Sequence, residues 1–426
     1  MISNVRKDIW INSYPIFLWL ALEPIVGLID SKIASVINLE TLSAIGIGET
    51  IYFVFIWVFI FLAYGTTPLV SSLNTKNEIN KLEYFIKFGR NVSILLGLGS
   101  FFILYLSSDY LISTFQPTEN IKFLSSDYLL FRCIGLPFYL VNMHSTAVLR
   151  GLKYAKITFY SALIVSFSNI AFSLFFGLFL GYGAAGIGFA SSLAFFCASI
   201  YSTFILKKQL NFIPPSEEQI DKPSMRKKFF NVGLYILIRS LFLTLFMAYL
   251  RNRASLMSMQ EIALQHILLQ LWSVGYIFID SVAIASQTLI SELISKKEKY
   301  QKSALQKELI SVTTGISFFL AILTIIFLEN FLVIFGGSDF NLYIDFQLRA
   351  LVAISLFIGC YAFLWDGVLL GLDKSKEFSF LTVISTVAGF LVCNYLLRTQ
   401  NTISTLWIGL NVSLLFRSLL GYIYQR

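Results

Sequence analysis

Long apolar segments restrict what this sequence can fold into more than any other feature. Twelve of them follow one another along the chain, each about as long as the roughly 20 residues that cross a bilayer as a helix. We expect helices near 9–36, 43–72, 87–107, 124–149, 156–180, 184–206, 229–250, 258–293, 307–329, 343–370, 376–397 and 403–424. The sequence therefore predicts an all-α integral membrane protein, since only helices and closed barrels satisfy their backbone hydrogen bonds in lipid.

Composition agrees with a membrane protein and gives no sign of an enzyme. Hydrophobic residues make up 57% of the 426 residues and charged residues 13%, whereas about a quarter of residues are charged in soluble domains. The sequence has no GxxxxGK[ST], HExxH or GxSxG motif, so we expect neither ATP hydrolysis nor another enzymatic reaction. The four cysteines lie in apolar stretches without a CxxC pair, and we expect no cofactor or structural metal.

Positive charge alternates from loop to loop along the chain. The basic residues concentrate at Arg6 and Lys7, at Lys76, Lys81, Lys87 and Arg90, at Arg150, Lys153 and Lys156, at Arg226, Lys227 and Lys228, at Lys296, Lys297, Lys299 and Lys302, and at Lys374 and Lys376. By the positive-inside rule these loops and both termini are cytoplasmic. The net charge of +8 is thus spread by topology, and it does not indicate nucleic-acid binding. We expect a multi-pass protein of a bacterial-type inner membrane.

The two halves of the sequence resemble each other at an offset of 220 residues. This offset aligns Leu69-Val70-Ser71 with Leu289-Ile290-Ser291, and residues 151–156 (GLKYAK) with 371–376 (GLDKSK). A polar stretch with Pro214-Pro215 separates the halves, so we predict a six-helix lobe at 1–206, a cytoplasmic linker at 207–228 and a second six-helix lobe at 229–426. Because each half has an even number of spans, the repeat is parallel, with a cavity between the lobes, as in transporters.

Few polar side chains lie inside the apolar segments of the first half. Predicted helix 1 carries Glu23 and, seven residues later, Asp30, which places both carboxylates within about 20° of one helix face. Pro24 lies between them and is a candidate hinge, because it removes a backbone hydrogen bond. Predicted helix 5 offers Asn169 and, one turn later, Ser173. Asp30 is either a carboxylate that alternately binds and releases a proton or cation, or a structural hydrogen-bonding group near the outer interface.

The second half has its own set of polar groups within the predicted helices. Arg239 lies near the middle of helix 7, His266 and Asp280 lie in helix 8, and Asp366 lies in helix 10. Exposure of an arginine to lipid is costly in free energy, so we expect Asp280 or Asp366 to neutralise Arg239 in a structural ion pair. Contact with substrate is the alternative. Arg132 and Arg349 occupy equivalent positions in the two halves.

These motifs, in this order, resemble those of the multidrug and toxic compound extrusion (MATE) transporters, in particular the branch of the DNA-damage-inducible protein F. The similar stretches are residues 23–30 (EPIVGLID), 149–152 (LRGL), 168–170 (SNI), 238–241 (IRSL), 279–283 (IDSVA) and 365–371 (WDGVLLG). They cover nearly the whole chain. The ordered set is more specific than any single stretch.

The resemblance implies two six-helix lobes and cation-coupled export of organic, often cationic and amphipathic, compounds. It also implies that Asp30 and Asn169 take part in coupling, together with Ser191, at a position where relatives often have threonine. This chain departs from many relatives at Ser173, where they carry an aspartate. The loss of one carboxylate favours protons over sodium as the coupling ion. A Na⁺ site at Asp30 and Asn169 is the alternative.

The sequence is consistent with three functions. The first is a proton- or sodium-coupled antiporter by alternating access. A flippase for a lipid-linked precursor is the second, since members of the same superfamily share the architecture, and it would need a strongly basic cavity for phosphates. The third is a channel or receptor-like membrane protein without coupled transport. In each case we expect a monomer that acts on a small molecule or a lipid.

Overall fold

The computed structural model describes residues 2–115, 117–210, 221–257, 259–336 and 345–425. Within these ranges the chain forms fifteen α-helices and one π-helical segment, Ser173–Phe179. The α-helices are α1 (Ile2–Ile37), α2 (Leu39–Val58), α3 (Phe61–Tyr64), α4 (Thr66–Thr75), α5 (Ile79–Ser113), α6 (Glu119–Cys133), α7 (Leu136–Gly151), α8 (Ala155–Phe172), α9 (Gly183–Leu210), α10 (Lys222–Ser255), α11 (Met259–Ser295), α12 (Lys299–Gly336), α13 (Phe346–Gly371), α14 (Ser375–Leu396) and α15 (Ile403–Tyr424). The predicted all-α membrane fold is confirmed.

Two of the predicted spans are divided in the structure. The predicted helix at 43–72 falls on α2, α3 and α4, and the predicted helix at 124–149 falls on α6 and α7, which meet at a bend of 44°. Pro137 at the start of α7 explains the second break, because proline has no N–H to continue the hydrogen-bond ladder of α6. Among the described residues, nine helices are long and apolar enough to cross a membrane, and the bent pair adds a tenth.

Packing divides the chain into two compact units. The first, here called the N-terminal unit, is Leu18–Gly233; the second, the C-terminal unit, comprises Met1–Phe17 and Leu234–Arg426. Both boundaries fall inside a helix, so α1 and α10 each belong partly to one unit and partly to the other. The predicted lobes differ in that they place residues 1–17 in the first half. Residues 211–220 of the predicted linker lie outside the described ranges, and the lobe and linker boundaries stay a prediction.

The 220-residue repeat is visible in the backbone conformation. Four residues other than glycine have a positive φ within the described ranges: Asn77 and Lys297 at 56° and 59°, and Lys153 and Asp373 at 67° and 61°. The members of each pair are 220 positions apart. Each residue follows a helix, and its successor donates its N–H to the carbonyl five residues back at 2.7–3.0 Å. All four sites are therefore Schellman-type helix ends, at equivalent places in the two halves.

A glycine at the end of α7 and another at the end of α13 allow close helix contacts in equivalent positions. A Cβ atom on Gly151 would lie 2.6 Å from the carbonyl oxygen of Thr67, and one on Gly371 would lie 3.1 Å from the carbonyl oxygen of Gln287. Gln287 is 220 residues after Thr67. The repeat thus extends from local sequence to helix packing within each unit.

We expect Gly151→Ala to lower the stability of the detergent-solubilised protein by about 1–3 kcal/mol, because backbone atoms must move to admit the methyl group. Gly371→Ala should cost less, since its backbone contact is half an ångström longer. Thermal unfolding followed with a thiol-reactive fluorophore would measure both, because Cys133, Cys360 and Cys393 are free and buried. Gly99→Ala is the control, as no atom lies within 4 Å of the added methyl. Equal melting temperatures for all three variants would contradict the prediction.

Candidate functional site

A buried carboxyl group lies on α1 in the N-terminal unit. Asp30 is 3% exposed to solvent. Ser173, the residue that follows α8, is fully buried and donates its hydroxyl proton to Oδ1 of Asp30 at 2.9 Å. Charged groups are costly in such surroundings unless a polar partner or a function compensates. The structure thus brings together two predicted site residues that are 143 positions apart in the chain.

An amide group extends the polar contacts around Asp30. Asn169 on α8 is buried, its side chain interacts with the Asp30 carboxyl, and its Nδ2 donates to Oγ of Ser191 on α9 at 2.7 Å. Asn169 Oδ1 is buried and accepts no hydrogen bond from the described residues. The four residues predicted for cation or proton coupling therefore form one connected group, which we call the Asp30 cluster: Asp30, Asn169, Ser173 and Ser191.

The backbone changes from α-helical to π-helical at the residue that contacts Asp30. The π-helical segment begins at Ser173 and runs to Phe179, and Leu180 donates its N–H to the carbonyl of Phe175, five residues back, at 2.9 Å. The chain leaves this segment through Gly181, with a φ of 72°. π-Helical turns are rare and occur frequently at functional sites. The wider turn begins at Ser173, so the backbone departs from α-helix at the Asp30 cluster itself.

The Asp30 cluster offers a mixed set of oxygen atoms. A carboxylate, a side-chain carbonyl and two hydroxyls could surround a small cation, and the carboxylate could instead take a proton. A sodium ion would here be held by one carboxylate with neutral oxygens. No group of three or more histidine, cysteine, aspartate or glutamate side chains that could hold a metal occurs among the described residues.

A second buried carboxylate lies in the C-terminal unit between two arginines. Arg239 on α10 donates from Nη2 to Oδ2 of Asp366 on α13 at 3.1 Å. Arg417 on α15 donates from Nε to Oδ1 of Asp366 at 3.1 Å and also contacts Oδ2 through Nη2. All three residues are at most 7% exposed. The guanidinium groups of Arg239 and Arg417 lie 5.1 Å from the rings of Phe378 and Phe363.

This network matches the predicted ion pair and adds one residue to it. Arg239 pairs with Asp366, one of the two partners proposed from the sequence. Arg417 was missed, although an arginine in the apolar stretch Ser413-Leu414-Leu415-Phe416-Arg417 is itself a signal that a buried acid lies nearby. Asp280, the other proposed partner, is partly buried on α11.

Glu23, Pro24 and His266 are the remaining predicted site residues. The side chains of Glu23 and His266 lie outside the described part of the structure. Pro24 is exposed on α1, which is helical on both sides of it. The hinge role of Pro24 therefore stays a prediction.

The fold and the Asp30 cluster define the class of the protein. A helical membrane fold with an internal repeat, and with a buried carboxyl whose hydrogen-bond partner is a neutral hydroxyl, is typical of a secondary transporter. A family model described as MatE matches residues 15–175 and 233–396. The chain belongs to this family, the multidrug and toxic compound extrusion transporters.

Sequence matches to individual relatives extend over nearly the full length of this chain. Protein DETOXIFICATION 44, chloroplastic, from Arabidopsis thaliana is 22% identical and the match covers 99% of this chain and 82% of the relative. A probable multidrug resistance protein NorM from Mannheimia succiniciproducens is 21% identical, with 96% and 90% covered. The crystal structure of a mutant of the Vibrio cholerae MATE transporter VcmN has a TM-score of 0.91 at 15% identity, covering 100% of this chain and 97% of that one. The narrower DinF-like branch stays a prediction.

Proposed function

We propose that this transporter is a cation-coupled antiporter that exports organic, amphipathic or cationic compounds, with Asp30 as the group that carries the coupling cation. The observation that carries the proposal is the Asp30 cluster: a buried carboxyl whose contacts are a hydroxyl and an amide rather than a lysine or arginine. Such a carboxyl can lose and regain a cation without breaking an ion pair.

Protons are the coupling ion that the cluster favours. A neutral, protonated Asp30 has one hydrogen to donate, and Asn169 Oδ1 is a buried acceptor without a partner in the described structure. Sodium requires several oxygen ligands and gains from additional negative charge, whereas the cluster has one carboxylate with neutral groups. Sodium held at Asp30 and Asn169 is the alternative.

Coupling requires that cation and substrate favour different states of the protein. Burial of Asp30 favours its neutral form, while an outward-open state with access to water, or a cationic substrate, favours the carboxylate. Alternating access then exchanges the cation for the substrate. Each ligand shifts the equilibrium between the inward-open and outward-open states by the difference in its affinity for the two states. One proton moving down about 150 mV supplies roughly 3.5 kcal/mol, which sustains about a few-hundred-fold gradient of a neutral substrate.

The distribution of basic residues and the origin of one relative favour a particular membrane and orientation for this protein. Basic loops on one side of the predicted spans favour a bacterial-type inner membrane with both termini cytoplasmic, and the Mannheimia relative comes from a bacterium. Aromatic residues, at 16% of the sequence, suit a lipophilic or cationic substrate. We propose that a monomer is the transporting form.

The test is efflux of a fluorescent lipophilic cation from proteoliposomes of the full chain, with either a pH gradient or a sodium gradient imposed. We expect efflux to follow the pH gradient at constant sodium. Efflux that follows sodium at constant pH would move the coupling ion to a sodium site at Asp30 and Asn169. If no efflux occurs with either gradient imposed, the antiporter proposal is overturned.

A lipid flippase is the second candidate, and the structure favours it less. Recognition of a lipid-linked phosphate requires cations directed at the ligand. Arg239 and Arg417, two buried cations of the C-terminal unit, both contact Asp366. Translocation of a lipid-linked pyrophosphate in the same proteoliposomes, without cation efflux, would favour the flippase.

A further inference from the structure

Arg132 is a buried cation outside the Asp30 cluster. Its side chain is on α6 in the N-terminal unit and is 9% exposed. The guanidinium carbon lies 4.8 Å from the centre of the Tyr52 ring, and Nε has no hydrogen-bond partner among the described residues. An arginine this deeply buried normally pairs with a carboxylate. Arg132 instead rests against an aromatic face, which attracts a cation without neutralising it.

Neighbouring helices hold the backbone of Arg132 in place. Ser192 on α9 has its hydroxyl 2.6 Å from the carbonyl oxygen of Phe131 and 3.0 Å from that of Arg132. A Cβ atom on Gly188, also on α9, would lie 2.5 Å from the carbonyl oxygen of Tyr128, so only glycine allows this approach to α6. Because α9 fixes the backbone and Tyr52 on α2 supports the side chain, the guanidinium is a charge of fixed position.

The charge of Arg132 acts on Asp30. Tyr128, one turn before Arg132 on α6, packs in one core cluster with Ile29 and Ile33, which lie on either side of Asp30 in α1. Ser192, whose hydroxyl contacts the Arg132 carbonyl, directly follows Ser191 of the Asp30 cluster. The positive charge of Arg132 therefore acts on the Asp30 carboxyl, and the negative charge of Glu49 on α2 opposes it. The other polar groups that face Arg132 are the phenols of Tyr52 and Tyr128. Tyr128 donates its hydroxyl proton to Glu49 at 3.4 Å. Asp30, Glu49 and Arg132 thus lie in one packed region of the N-terminal unit.

We propose that Arg132 is a positioning residue that weakens the binding of the coupling cation to Asp30, so that the cation leaves the site in every transport cycle. This inference rests on the proposed role of Asp30. A buried carboxylate without a nearby positive charge would hold a proton or a metal cation tightly, because water cannot compensate the charge. A fixed guanidinium opposes the arrival of any second positive charge, since Coulomb forces are strong at low dielectric. The effect is the same in sign for protons and for sodium.

Arg132→Gln is expected to raise the cation affinity of Asp30 by about tenfold, the lower end of the effect that an arginine has on a neighbouring carboxylate. Dicyclohexylcarbodiimide provides a readout that does not depend on transport, because it modifies buried carboxyl groups in their protonated form. Mass spectrometry of the peptide containing Asp30 would give the extent of modification against proton concentration, and its protection by added Na⁺. The half-effect concentration should fall about tenfold in Arg132→Gln.

Three variants make the test specific. Arg132→Lys keeps the charge, so its half-effect concentration should stay within about threefold of the wild-type value. Glu49→Gln removes the neighbouring negative charge and should move the half-effect concentration in the opposite direction; because Glu49 is only partly buried, this variant also decides the matter where Arg132→Gln does not fold. Arg349→Gln is the control, since Arg349 lies in the C-terminal unit, far from Asp30 in the sequence, and pairs with Glu329.

The outcomes separate this inference from the proposed function. Modification of Asp30 that responds to cations in the wild type, with unchanged midpoints in Arg132→Gln and Glu49→Gln, would overturn the role of Arg132 and leave the role of Asp30 intact. Absence of any cation-dependent modification at Asp30 in the wild type would overturn the proposed function, and this inference with it. Opposite shifts in the two variants, with no shift in Arg349→Gln, are the expected result.

Discussion

Asp30→Asn is expected to abolish gradient-driven efflux while leaving the protein folded and inserted. Asparagine has the shape of aspartate and can still accept a hydrogen bond from Ser173, which contacts Asp30 at 2.9 Å. It cannot carry a proton or neutralise a cation. The steady-state substrate ratio across the membrane should therefore fall from about a few-hundred-fold, the limit set by about 3.5 kcal/mol per proton, to near unity. Accumulation of a fluorescent, uncharged amphipathic compound in inverted vesicles would measure this ratio.

Two further variants show whether the loss is specific to this carboxyl group. Asp30→Glu retains an ionisable group one methylene further from the backbone and should retain part of the accumulation. Asp109→Asn removes an exposed carboxylate from α5 and should leave accumulation unchanged. Full gradient-driven accumulation by Asp30→Asn would show that the coupling cation binds elsewhere.

Asp30 and Asp366 are the two buried carboxylates among the described residues, and the difference between their contacts supports placing coupling at Asp30. Asp366 is contacted by two guanidinium groups, so a proton or cation that bound there would have to displace arginine hydrogen bonds that are stronger than neutral ones. Asp30 is contacted by a hydroxyl and an amide, and Arg132 influences it without an ion pair. A group that must bind and release a cation in every cycle needs contacts of the second kind.

The sequence predicted the helical membrane fold and three of the four members of the Asp30 cluster from local rules, whereas Ser191 came from the family resemblance. Apolar segments of span length can satisfy their backbone in lipid only as helices, and rare polar residues within them are costly enough to need one another. Asp30, Asn169 and Ser173 were identified in this way. The 220-residue offset likewise identified helix ends that the structure shows to share the left-handed conformation.

Other features depended on three-dimensional packing and were not predicted. The π-helical turn at Ser173 leaves no motif in the residues that form it, and the contact of Arg132 with Tyr52 depends on how α2 meets α6.

Two other features were missed although the sequence carries a local signal for each. The break between α6 and α7 is indicated by Pro137, which an analysis of hydropathy alone does not detect. Arg417 also had a signal, since a single arginine in an apolar helix needs a partner.

Asp366→Asn is expected to destabilise the protein by about 3–5 kcal/mol, because it removes the carboxylate that Arg239 and Arg417 both contact in a buried region. The measurement is thermal unfolding in detergent with a thiol-reactive fluorophore, for which the buried Cys360 and Cys393 of the same unit are reporters. Glu329→Gln is the control. It breaks the ion pair between Glu329, whose side chain is 50% exposed, and Arg349, and it should lower the stability by no more than about 1 kcal/mol.

A triple variant separates a structural ion network from a site that contacts substrate or cation. Replacing Asp366 by leucine together with Arg239 and Arg417 by methionine removes all three charges at similar volume. Such replacements of buried networks are often neutral or stabilising, so the triple variant should unfold at a higher temperature than Asp366→Asn and keep gradient-driven accumulation. If instead Asp366→Asn unfolds like the wild type and accumulation is lost in both variants, Asp366 acts in transport rather than in holding α10, α13 and α15 together.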